Sequence, residues 1–344
     1  MPNEWEERYR DSRSGFEAFC GETRRLVERL LEDGGIDVAQ IESRTKTIDS
    51  FAEKVRRKSG KYADPLAEMT DLAAMRVIAY FPADVERIGA LLEAHFDVDW
   101  PNSHRQDVEA LSDRFGYRSD HYVVRLSPAR VGLPEYARYD GMRAEIQVRT
   151  VMQHAWAAVD HQLRYKNAAQ LPPELQRRLS KLSALLEVAD EQFAALRSEA
   201  DSLEATYAAE VARGDLSAEI DLLSLPAFLD EANLAQAWTE RAIEAGLTPT
   251  PGLGELQYLV WVLHELGIRT LAALQPFFVD AERWGVAYLA RLAAEAQRRG
   301  FRPVAAPYDV LTFLLLSSAP AEVILRSPFA GVIDQAILAL RGEV

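Results

Sequence analysis

Three short runs, residues 75–81 (MRVIAYF), 121–126 (HYVVRL) and 144–150 (AEIQVRT), read as strands, and beyond Gly214 the pattern reads as helices only. Any sheet must therefore be assembled from the first two hundred residues. In the third run a period of two puts Glu145, Gln147 and Arg149 on one face and Ile146 and Val148 on the other, which leaves a polar row on a sheet surface. Helices are expected around these strands. Residues 16–31 carry Phe16, Phe19, Leu26, Val27, Leu30 and Leu31 at helical spacing and stop at Gly34 and Gly35; further helices are expected over 47–58, 84–94 and 151–165. A long one runs from Pro173 to about Ala212, and the remainder divides into helices over 226–245, 255–266, 280–299 and 309–318, with TPTPGLG (248–254) as a loop. The chain of 344 residues is long enough for two domains, a mixed α/β unit over 1–212 and a helical unit over 215–344.

Charge is unevenly spread in this acidic chain. Residues 1–200 hold 29 Lys and Arg against 34 Asp and Glu, net −5, and residues 201–344 hold 10 against 19, net −9. All six lysines precede residue 182, and KVRRKSGK (54–61) packs five cations into eight positions. Such a run is either a solvated helix face or the seat of an anion. The net acidity argues against general nucleic-acid binding. Cys20, the single cysteine, has no disulfide partner and no metal-ligand neighbour, and reads as a structural thiol. No segment approaches the roughly 18 apolar residues of a membrane span, and no leader pattern opens the chain, so the cytoplasm is the expected compartment, without a membrane partner.

Four segments of the first unit are suited to phosphate chemistry. Arg44 and Lys46, followed by Ser50, Lys54 and Arg57, recur at near-helical offsets that can converge on a polyphosphate. Asp71 lies five residues before Arg76, and Glu145 stands on the polar face of the third run. Carboxylates from two neighbouring strands suit Mg²⁺, which keeps several waters and bridges substrate phosphates, although an Asp before a strand is more often a turn or cap residue. FGYRSDHYVVRL (115–126) gathers Tyr117, Ser119 and His121, and Tyr117 offers a flat face for a base. Alone, His121 reads as a core histidine. His154 and His161 share a helix face at i, i+7 without a Cys or His at metal-ligand spacing, so no zinc site is expected.

Taken in order, Arg44 and Lys46 through Lys58, then Asp71, Arg76 and Val77, then GYRSDH (116–121), then EIQVRT (145–150), then Trp156, Ala157, His161, Tyr165 and Lys166 resemble the synthetase domain of the RelA/SpoT alarmone synthetases over about residues 40–170. The resemblance implies an α+β fold, a mixed β-sheet flanked by helices of the nucleotidyltransferase type, here followed by an all-α domain. It implies transfer of pyrophosphate from ATP to the 3′-hydroxyl of GDP or GTP. Arg44, Lys46, Ser50, Lys54, Arg57 and Arg76 would hold ATP; Asp71 and Glu145 would be the catalytic carboxylates that hold Mg²⁺, Glu145 also receiving the hydroxyl proton. Arg114, Tyr117, Ser119, His121, Gln147 and His161 would hold the acceptor, Tyr117 by stacking on its base.

Two departures bear on the acceptor. Asp113 stands four residues before Tyr117, where family members often carry lysine, and Asp120 adds a carboxylate to the same loop. The resemblance extends to small relatives that modify the tRNA 3′ CCA end or adenine nucleotides and act as growth-inhibiting toxins, so it implies these as the alternative acceptors, with Arg138, Arg143, Arg177, Arg178 and Lys181 as the candidate basic surface for tRNA. A non-catalytic nucleotide-binding regulator is a second alternative, and the presence of Asp71, Glu145, Arg44, Lys46 and Tyr117 argues against it. No His-Asp dipeptide occurs, so synthesis without hydrolysis is expected. Control would fall to the acidic helical unit, through a regulatory ligand or protein partner, and a homo-oligomer would fit relatives of this size.

Overall fold

The computed structural model describes residues 4–58, 60–105, 119–165, 172–326 and 332–341. Two compact units divide the chain at Met1–Leu196 and Arg197–Val344, ahead of the boundary expected near Gly214.

The first unit opens with α1 (Glu4–Asp33), whose buried residues Tyr9, Phe19, Thr23, Leu26, Val27, Leu30 and Leu31 fall at offsets that keep one face inward. The helix stops where the Gly34 and Ile36 N–H groups donate to Leu30 O and Leu31 O, with Gly35 left-handed at φ +57°. Then follow β1 (Val38–Thr45), α2 (Ile48–Arg57), the single turn α3 (Pro65–Glu68), β2 (Ala73–Ala79), α4 (Pro82–His95), β3 (Phe96–Val98), β4 (Asp120–Leu126), the single turn α5 (Pro128–Val131), β5 (Ala144–Thr150), α6 (Val151–Tyr165) and α7 (Pro173–Ala212).

The sheet order is β1-β2-β5-β4-β3; β2 and β5 are parallel and the other pairs antiparallel, which makes the sheet mixed as the resemblance implied. One face is apolar. Met75, Val77, Tyr122, Val124, Ile146 and Val148 are buried there in a single core with Leu26, Val27, Leu30 and Leu31 of α1 and Ile88 and Leu92 of α4. Covering one face with two helices leaves the other face free for the polar residues of the same strands. Two strands have no counterpart in the sequence reading. β1 is a half-exposed edge strand of mostly polar residues, and β3 is three residues long.

In the second unit, after the end of α7, come α8 (Ser224–Glu231), α9 (Leu234–Glu244), β6 (Thr248–Pro249), α10 (Leu256–Glu265), α11 (Leu271–Arg298), β7 (Val304–Ala305), α12 (Pro307–Leu316), the single turn α13 (Ala321–Ile324) and α14 (Val332–Arg341). They enclose a separate core that includes Trp238, Leu263, Leu289, Phe313 and Leu314. The single helix expected over 226–245 is two, parted where Asn233 turns left-handed at φ +48°. α11 starts well before residue 280 and runs through Pro276, because Thr270 caps it and Leu271, Leu274, Phe278 and Ala281 are buried. A two-residue parallel pair, β6 with β7, supplements the helices expected there. Among the described residues no helix is long and apolar enough to cross a membrane.

Candidate active site

Strand register builds the site floor. Glu42 of β1 pairs with Arg76 of β2, Arg76 with Gln147 of β5, and Gln147 with His121 of β4, so four polar residues form one line across the sheet. In the next line Arg44, Ala74, Glu145 and Val123 stand side by side. Directly paired residues project to the same face. The small Ala74 between Arg44 and Glu145 keeps the floor low, and a cleft of about 220 Å³ lies over Glu42, Ser43, Arg44, Ala74, Met75, Arg76 and Gln147. Arg76 is tied across it, Nη1 to Glu42 Oε2 at 3.1 Å and Nε to Gln147 Oε1 at 3.5 Å.

Asp71 sits just before β2 and gathers two cations. Lys46 follows β1, where its N–H donates to Leu72 O at 2.9 Å, and its Nζ lies 2.7 Å from Asp71 Oδ2. Lys54 reaches the same oxygen from α2 at 2.9 Å. α2 can start there because Thr47 caps it, accepting the Ser50 N–H at 3.2 Å. Ser50, Lys54 and Arg57 fall at i, i+4 and i+7 on one face of that helix, with Ser50 and Arg57 exposed. The cations there are dense enough that Lys61, and next Lys54, hold the Lys58 ammonium below its ordinary range. Burial pushes the Asp71 carboxyl up, but the bonds from Lys46 and Lys54 outweigh it and hold the group below the usual carboxylate range.

Glu145 is supported by its neighbours on the same face. Gln147 Nε2 donates to its Oε1 at 2.8 Å, and His121 Nδ1 lies 3.5 Å from that oxygen. His121 Nε2 meets Ser119 Oγ at 2.8 Å. Burial pushes the Glu145 carboxyl up; His121 and Gln147 overcome this, so it too stays anionic at neutral pH, against a smaller opposing effect from the Asp71 charge. Gln147 is bonded at both ends, since its Oε1 also accepts from Arg149 Nη2 and Arg76 Nε.

A second cleft, of about 500 Å³, lies where α6 follows β5 and is lined by Arg44, Arg76, Arg149, His154 and His161 with Ala157, Ala158 and Gln162. No acidic side chain is among its described lining residues. Arg149 is 6% exposed, and its Nε, like His154 Nδ1, is buried without a hydrogen-bond partner among the described residues. Burial, followed by the Arg76 charge, lowers the Arg149 pKa, and burial followed by Arg149 does the same to His154. Sequence reasoning gave neither residue a role. Its only signals were the alternation that sets Arg149 beside Glu145 and Gln147, and the helix face that His154 shares with His161.

Of the candidate residues, the structure brings Lys46, Lys54 and Asp71 together, Glu145, Gln147, His121 and Ser119 together, and Arg44, Arg76 and His161 around the second cleft. Ser50 and Arg57 line neither cleft. Arg114 and Tyr117, like Asp113 and Lys166, lie outside the described residues. Asp120 is not a loop residue but the first of β4, and it is buried. No group of three or more His, Cys, Asp or Glu that could hold a metal occurs among the described residues.

The region found in RelA/SpoT proteins matches residues 43–170, which span every candidate catalytic, ATP-binding and acceptor-binding residue from Arg44 to His161. GTP pyrophosphokinase YjbM of Bacillus subtilis (strain 168) is 30% identical over 179 residues, covering 51% of this chain and 80% of that protein. The chain belongs to the RelA/SpoT family. GTP pyrophosphokinase YwaC of the same organism is 26% identical over 176 residues, again 51% of this chain and 80% of the relative. Among solved structures, the small alarmone synthetase 1 from Bacillus subtilis is 27% identical, with a TM-score of 0.45, over 58% of this chain and 100% of that one. The RelA/SpoT match thus ends at residue 170, before the helical unit begins.

Proposed function

We propose that this RelA/SpoT chain is a GTP pyrophosphokinase, which transfers the β,γ-pyrophosphoryl group of ATP to the 3′-hydroxyl of GDP or GTP, depends on Mg²⁺ and has no hydrolase activity. One observation carries the reading: two half-buried carboxylates, Asp71 and Glu145, held anionic at the entrances of adjacent parallel strands and flanked by Lys46, Lys54, Arg44 and Arg76. The relatives named GTP pyrophosphokinase support the choice of substrates.

In this reaction the acceptor 3′-oxygen bonds to the β-phosphorus, the bridging α,β P–O bond breaks, and its electron pair leaves on AMP. The hydroxyl proton passes to Glu145, a carboxylate in its ionised form. Little covalent work falls to the protein, and rate comes from alignment and from fixed positive charge around the phosphates. Lys46 and Lys54 are already oriented by Asp71, while the guanidinium groups of Arg44 and Arg76 stand over the neighbouring floor. Ser119, His121 and Gln147 surround Glu145 on the side from which an acceptor hydroxyl would approach it.

The donor set fits Mg²⁺. Asp71 Oδ1 is buried with no hydrogen-bond partner among the described residues, and two anionic carboxylates with waters and phosphate oxygens are the usual ligands of this ion. When bound by Asp71 and Glu145, it would neutralise the developing phosphate charge. The test is product identity: the purified chain with Mg²⁺, ATP and GDP should release AMP, not ADP, in equal amount with a 3′-pyrophosphorylated nucleotide, and chelation should stop both. ADP as the co-product would overturn the reading.

A further inference from the structure

The polar line across the sheet has a fifth member with no role in the reading above. β3 ends at Val98, and the chain returns beside the first residues of β4 at His104, which forms one isolated antiparallel bridge with His121. The His104 N–H donates to His121 O and the His121 N–H to His104 O, both at 2.8 Å. Paired residues project to one face, so the His104 ring lies on the site side of the sheet. It stacks flat on His121, with centroids 5.2 Å apart and planes 12° from parallel.

The other contacts of His121 lie at the edge of its ring, Nε2 to Ser119 Oγ at 2.8 Å and Nδ1 to Glu145 Oε1 at 3.5 Å. Rotation about the imidazole χ2 is soft and roughly two-fold, and a half turn would take Nδ1 away from the carboxylate. The Ser119 and Glu145 contacts at the ring edge select between those two orientations, while a flat neighbour packed on the ring face fixes the plane in which both contacts lie. We propose that His104 is a positioning residue of the pyrophosphate-transfer site, which holds the plane of the His121 imidazole so that its Nδ1 stays in line with Glu145. The inference rests on the reading of Glu145 and His121 as members of that site.

Steady-state kinetics of the full chain test it. His104→Ala should lower kcat about tenfold through lost alignment and leave the KM for ATP unchanged. His104→Phe, which keeps a flat ring, should recover most of the loss. In a His121→Ala background, His104→Ala should have no further effect. Wild-type kcat in His104→Ala, a His104→Phe variant as slow as the Ala variant, or effects that multiply in the double variant would each overturn the proposal. A second readout does not need turnover. In protein carrying ¹⁵N-histidine, the His121 ring nitrogen signals should shift on His104→Ala and return with His104→Phe, and unchanged signals would overturn the clamp. If the wild-type chain makes no product while those signals still move, the reaction assignment fails and the stacking stands.

Discussion

At Asp71 and Glu145, burial and nearby donors pull in opposite directions. Burial favours the neutral acid, whereas Lys46 and Lys54 at one carboxyl, and His121 and Gln147 at the other, favour the anion and prevail. Both folded-state values therefore lie below the unfolded ones. The stability each anion contributes is fully present above its unfolded value and is lost as pH falls through the lowered folded value. Urea unfolding of wild type and Asp71→Asn should accordingly differ by the same amount at pH 7.5 and pH 6; a gap that narrows between them would contradict the assignment. The same two groups should dominate turnover. Asp71→Asn or Glu145→Gln is expected to lower kcat about 100-fold or more, read as the rate of AMP release from ATP with GDP as acceptor, the scale of losing one fixed electrostatic partner of the transition state. These carboxylates were singled out in the sequence only through the ordered RelA/SpoT motifs, since an Asp before a strand reads alone as a turn or cap residue. Arg149 and His154 were not: what distinguishes them is a buried nitrogen without a partner among the described residues, a property that arises only when β5 and α6 enclose the second cleft. Glu42 was hidden for a related reason, since only the β1 register sets it against Arg76.

At the scale of elements, two helices depend on glycine for how closely they approach a neighbour. A Cβ on Gly285 of α11 would lie 2.5 Å from Cη2 and 2.7 Å from Cζ3 of Trp238, a fully buried ring of α9. Gly285→Ala should therefore destabilise the helical unit by about 1–3 kcal/mol, the usual cost of overpacking, as read by chemical denaturation. A Cβ on Gly89 of α4 would come within 2.3 Å of Oη of the buried Tyr122, so Gly89→Ala should destabilise the sheet unit by a similar amount, about 1–3 kcal/mol. Unchanged midpoints for both variants would refute this account of the packing. Neither glycine stands out in the sequence, because helical periodicity shows which face is inward and not how near the next element comes. The strands at 75–81, 121–126 and 144–150 were legible from their apolar and β-branched content. β1 was not, since an edge strand of half-exposed polar residues carries no alternation to read. The early start of α11 was obscured by Pro276, whose lost hydrogen bond is offset by burial of Leu271, Leu274, Phe278 and Ala281.

For the whole molecule, strand-like runs cease before the long α7, and the two compact units part at residue 197 within that helix, where the sequence carries no compositional break. The helical unit lies outside the RelA/SpoT match, and residues 201–344 carry a net charge of −9 against the cation-rich segments of the synthetase region. On that ground we propose that the helical unit controls synthesis. Removal of residues 215–344 should raise turnover of the remaining soluble chain; unchanged turnover would refute self-inhibition. The central claim is tested most directly by following label from the γ-phosphate of ATP, with Mg²⁺ present, to GDP, GTP, ATP or deacylated tRNA offered separately, with Glu145→Gln as the control. The account predicts label on GDP or GTP that is absent with the Glu145→Gln protein. Label on tRNA or ATP alone, or label on GDP that persists in the control, would contradict it.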